Sequence, residues 1–166
     1  MAAADKLSFA ALTRAGAVAG FVGGVTIWMY ELLVWVHYLH IRTVRGLLEN
    51  SAVLAFGPRV QKLASPLPLL ISAAVHFITA MVWGMGFAYL WPTLRAWRVE
   101  ATLAALFFGV FAWIVMHVLV LAWFSPAPPV YTVYSVLNGF VSHTFAFSVP
   151  VALIIKHRTR ETNPSH

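Results

Sequence analysis

Four ionisable side chains sit inside long apolar stretches of this chain: Glu31, His76, His117 and His143. Buried in lipid, such groups are expensive to keep, and they mark a working site by default. Two imidazoles on facing helices at similar depth can ligate a haem iron from both sides. Small residues beside them would let the flat macrocycle slide between helices. His76 and His143 are the pair that fits this pattern, with Gly139 one turn before His143 and Gly16, Gly20 and Gly24 on the first span to supply room. Helix bundles commonly build cofactor sites this way. The expectation is haem b held by His76 and His143. A single transition metal ion on His76, His117, His143 and Glu31 is the second expectation, because imidazole suits zinc, copper or iron and a carboxylate adds charge. A chlorin pigment on one histidine is a variant. The same groups could relay protons, as a small transporter or proton path through Glu31 and the histidines. The plainest alternative binds nothing. A neutral histidine donating to Ser72, Ser142 or Asn138 would only hold helices together.

The elements that position these groups follow from hydropathy. Hydrophobic residues make up 61% of the chain and charged residues 10%, with mean hydropathy +0.81. Soluble domains carry roughly 45–50% apolar and about 25% charged residues. Lipid must therefore solvate most of the surface, and no room is left for a soluble domain of ordinary size. Four apolar runs, about 15–39, 66–91, 101–124 and 130–155, each exceed the roughly 20 residues of a spanning helix. In lipid the backbone must satisfy itself within the segment, so each run reads as a helix. The first contains Glu31 and several aromatics, with no small-residue cleavage site after it, and reads as an uncleaved span. The fold class is all-α: one domain, a four-transmembrane-helix bundle. The stretch Ile41–Phe56 reads as a short interfacial helix in the first, outer loop, ended by Gly57-Pro58. The segment Ser125–Pro129 reads as a stiff turn that makes spans three and four a hairpin.

A helix rises about 1.5 Å per residue, which puts His76 roughly 15 Å, His143 about 20 Å, and His117 and Glu31 about 10 Å below the outer ends of their spans. All four share one band, with His37 and His40 above it. The glycines of span one form a small-xxx-small ladder whose face continues to Glu31. Ser72, His76, Thr79 and Trp83 share a face of span two. His117 keeps company with Trp113, and its side chain could face either the bundle or lipid.

Net charge +6 suggests nucleic acid at first sight, but the basic residues gather at span ends. Lys6, Arg14, Arg95, Arg98, Lys156, Arg158 and Arg160 fall on one side; Arg42, Arg45, Arg59 and Lys62 fall on the other. The excess places both termini in the cytoplasm. The tail from His157 to His166 reads as a short basic segment near anionic lipid. Cysteine is absent, which removes disulfides, thiolate metal sites and covalent c-type haem. There is no phosphate loop, nucleophile elbow or HExxH helix, so an enzyme acting alone is not expected.

From span two onward, His76-Phe77, Gly84 and Gly86, Pro92 and Ser142-His143 resemble a group of uncharacterised small bacterial four-helix inner-membrane proteins. The resemblance covers about the last hundred residues. It implies a compact bundle in a bacterial inner membrane and carries no activity. A chain this small, with almost no mass outside the membrane, is expected to work as an accessory subunit beside other membrane subunits or further copies of itself.

Overall fold

The computed structural model describes residues 8–125 and 131–161. Lys6, most of the 125–129 turn, the start of the fourth apolar run at 130, the side chain of Arg160 and the end of the tail lie outside the described residues. Among the described residues four helices are long and apolar enough to span a membrane, and they pack as a bundle. They are α1 (Phe9–Tyr38), α4 (Leu67–Ala96), α5 (Ala101–Val120, continued by Leu121–Phe124) and α6 (Val133–Thr159, running on to Glu161). Two short helices, α2 (Val44–Leu48) and α3 (Asn50–Phe56), and a 3₁₀ turn at Pro58–Lys62 fill the connection between α1 and α4. That connection marks the loop face of the bundle; the opposite end is the terminal face.

Polar caps start α1, α2, α5 and α6, where the first N–H groups lack partners. Ser8 Oγ accepts from Ala11 N, Thr43 Oγ1 from Gly46 N and Glu100 Oε2 from Thr102 N. Thr132 and Ser135 cap α6 reciprocally. Gly57, at φ +78°, stops α3 in a conformation that favours glycine. The helix bounds shift from the sequence expectation. α1 starts earlier, and α4 continues through Pro92 to Ala96 rather than ending before it, since membrane helices tolerate proline where neighbours cover the freed backbone. The expected single interfacial helix is two helices offset at Glu49. That carboxylate is buried and accepts from Arg45 Nε at 2.9 Å and Gln61 Nε2 at 3.3 Å, which ties the loop to itself.

α1 and α4 form the closest seam. A Cβ placed on Gly20 would lie 2.3 Å from the Ala80 carbonyl oxygen, and one on Gly84 would lie 2.3 Å from that of Gly16. The glycine ladder is therefore filled by the backbone of α4 at Gly16 and Gly20 and by the Ala80 and Phe77 side chains at Gly24, and the room it was expected to lend a macrocycle is taken. Next, α1 packs on α6, where Thr26 donates to the Ala146 carbonyl and Tyr30 Oη to Asn138 Oδ1 at 3.0 Å. α6 packs on α5, again through glycine: a Cβ on Gly109 would lie 2.5 Å from Thr144 Cα. α4 and α5 are consecutive in the chain yet barely touch along their loop-side halves. Nearer the terminal face an aromatic wedge joins them, with Trp83 5.7 Å from Phe108, and Phe87 5.1 Å from Phe108, between ring centroids.

A candidate ligand cleft between α4 and α5

The gap that α4 and α5 leave is a cleft of about 390 Å³. His76, Thr79 and Trp83 line it from α4, Met116 and Phe124 from α5, and His143 from α6. Ser51, Leu54 and Ala55 of α3 lie over it. α3 is docked there by Ala52, which is fully buried and donates its N–H to Ser72 Oγ at 3.3 Å. The aromatic wedge closes the other end. What remains is an apolar slot in the loop-side half of the bundle, with a few polar groups converging on it, the usual form of a small-ligand site.

The periodicity of span two puts His76, Thr79 and Trp83 on one face, and all three meet the cleft. His76 is fixed by two contacts. Its Nε2 lies 2.9 Å from the Gly24 carbonyl oxygen, and its ring stacks on Trp28 with centroids 4.4 Å apart. A carbonyl can only accept, so Nε2 carries the proton and Nδ1 keeps the lone pair. His143 is fixed the other way round. Its Nδ1 lies 2.9 Å from the Gly139 carbonyl oxygen, so Nδ1 is the protonated nitrogen. Ser142 Oγ donates to the same carbonyl at 2.9 Å. Nε2 of His143 has no hydrogen bond among the described residues and offers a lone pair.

His117 faces the bundle, not lipid. Its ring lies against Trp113 (5.7 Å between centroids) and meets His143 edge-on at 4.9 Å. Its Nε2 and the Trp113 indole nitrogen fill the space over Gly139, at 3.1 and 2.6 Å from where a Cβ would be. The gap expected beside Gly139 is thus occupied by side chains of α5. Glu31 takes a different place. It does not line the cleft, and Arg42 is the cation whose field reaches it. Among the described residues no three His, Asp or Glu side chains gather so as to hold a metal ion.

Three spans pass into π-helical turns, at Leu32–Tyr38, Val115–Val120 and Ser142–Ser148. His117 and His143 each lie within one, and Glu31 immediately precedes the first. Such turns are rare and recur at functional sites. The carbonyl of His117 accepts from Tyr131 Oη at 2.6 Å. No pattern in residue type marks these turns.

Comparison with known protein families, with curated proteins and with solved structures finds no match.

Proposed function

We propose that this four-span membrane protein is a small binding subunit that holds a lipid-phase ligand in the α4/α5 cleft, anchored by His143. The observation that carries this reading is one apolar slot lined by two imidazoles, each with one nitrogen held by a backbone carbonyl and the other left as an acceptor. Such a site suits a mostly apolar molecule with a hydroxyl or phenol head, which donates to His143 Nε2 while its body lies against Trp83 and Met116.

Haem b between His76 and His143 fits less well. His143 suits the task, because a carbonyl fixes its Nδ1 and leaves Nε2 free, the usual arrangement of a ligating histidine. His76 holds the Gly24 carbonyl with Nε2 and so could ligate only through Nδ1, on a ring stacked against Trp28. A hydroxylated lipophile asks for no such ligation. Glu31 shares no hydrogen bond with a histidine among the described residues, so a proton path through all four has less support. We further propose a bacterial inner membrane, which the resemblance implies, with both termini cytoplasmic, which the excess of Lys and Arg on the terminal face supports. There it serves a larger membrane assembly, since it has little mass outside the bilayer.

The test is to purify the protein in mild detergent, record its visible spectrum before and after dithionite, and analyse a solvent extract by mass spectrometry. A colourless, stoichiometric lipophile that is lost in His143→Ala supports the reading. A Soret band abolished by the same substitution replaces that ligand with haem. An empty, colourless protein that takes up nothing from added membrane lipids contradicts it and leaves a cofactor-free structural subunit.

A further inference from the structure

A second pocket lies at the opposite end of the molecule. It measures about 220 Å³ and sits where α4, α5 and α6 meet the terminal face. Trp91, Arg95, Arg98, Glu100, Lys156 and Thr159 line it. The floor is built rather than accidental: the buried Trp91 donates its indole N–H to Thr159 Oγ1 at 3.1 Å. On one wall Glu100 receives Lys156 Nζ at 2.7 Å and the Thr102 N–H at 2.7 Å. These contacts hold its carboxyl well below the usual range, at about 2, so it stays ionised and engages Lys156. Arg95 and Arg98 on the other wall form no ion pair among the described residues.

Arg98 also occupies an unusual position. α4 ends in a Schellman turn, with Val99 N bonded to the Leu94 carbonyl at 3.0 Å and Arg98 N to that of Arg95 at 2.9 Å. The residue at this point of the turn is left-handed and is usually glycine. Here it is arginine, at φ +56°. The left-handed turn thus places an arginine, where glycine is usual, on the lining of the pocket.

We propose that this pocket binds a phosphate group through Arg95 and Arg98, presented by an anionic phospholipid of the adjoining leaflet. The guanidinium fork matches phosphate oxygens in pairs. Basic pockets between spanning helices are a recurring way to hold such headgroups. The site is independent of the cleft and of its ligand.

Native mass spectrometry of the full-length protein with phosphatidylglycerol, against phosphatidylcholine, tests this, with a parallel titration by inorganic phosphate. Arg98→Gly is the informative variant because glycine relaxes the left-handed turn while removing the guanidinium. It is expected to keep or raise thermal stability and to weaken phosphatidylglycerol binding about fivefold. Arg95→Gln is expected to weaken it similarly and serves if Arg98→Gly fails to fold. Arg14→Gln removes one exposed charge from the same face and should leave affinity within about twofold, since it leaves the pocket intact. Arginine-dependent binding of inorganic phosphate without phosphatidylglycerol binding keeps the site and makes its ligand water-borne. An equal loss in Arg14→Gln and Arg98→Gly reduces the effect to diffuse surface attraction and overturns the proposal, as does binding of neither probe.

Discussion

Gly20→Ala is the smallest change that tests how the bundle positions its histidines. The new methyl carbon would stand 2.3 Å from the Ala80 carbonyl oxygen and 2.7 Å from Met81 Cα, both backbone atoms that cannot swing aside. Ordinary contact begins near 3.4 Å, so α4 must retreat from α1 by about 1.1 Å at this level. One turn further along α1, the 2.9 Å bond from His76 to the Gly24 carbonyl would then stretch beyond hydrogen-bonding distance. Overpacking of this kind costs about 1–3 kcal/mol, and the lost bond adds about 1 kcal/mol. Gly86→Ala is the matched control, because a Cβ there meets nothing within 4 Å. Unfolding by heat or by SDS in mixed micelles should show Gly20→Ala about 2–4 kcal/mol less stable and Gly86→Ala unchanged. Equal stability of the two variants would refute the close α1/α4 seam, and with it the fixed position of His76.

Thr144 is buried with its hydroxyl unpartnered, so Thr144→Val should raise stability by about 1–3 kcal/mol in the same assay; a loss would reveal a partner for the hydroxyl. Ser72→Ala removes the hydroxyl that accepts from Ala52 N, which should cost about 1 kcal/mol and quicken exchange of the cleft ligand as α3 loosens. Exchange as slow as in the parent protein would show that α3 does not guard the cleft. Glu100 is lowered from 4.5 to about 2 by Lys156 and the α5 N-terminus. A depressed carboxyl stabilises the fold fully above its unfolded value and loses that contribution as pH falls toward the folded one. Melting curves of the parent protein and Glu100→Gln should therefore differ at neutral pH and converge between about pH 4.5 and 2. A difference that persists at the acid end would mean that the charge of Glu100 is not what stabilises this corner.

The number of spans was legible because run length alone decides it in lipid. The shared face of His76, Thr79 and Trp83 was legible from helical period. So was the small-residue ladder of α1, although not its occupant: Gly16 and Gly20 announce a close neighbour, and nothing in them says whether it is a cofactor or the backbone of α4. His117 could not be oriented beforehand, because its facing depends on the π turn at Val115–Val120, which no local residue preference encodes. The cover over the cleft was hidden for a similar reason. The stretch 41–56 has the composition of a surface helix, and it folds over the bundle through long-range packing such as the bond from Ala52 N to Ser72 Oγ, 20 residues apart. The separation of α4 from α5 is a property of the whole packing arrangement and has no local signature.

The most direct test of the account is how much ligand the protein retains after Thr79→Phe. The added ring would enter the cleft from α4 and leaves His143, the α1/α4 glycines and the terminal-face residues unsubstituted. We predict a folded protein, with a melting temperature close to that of the parent, that has lost the lipophile extracted from it. Full retention of that molecule by a folded Thr79→Phe protein would place the ligand elsewhere and contradict the assignment of the α4/α5 cleft.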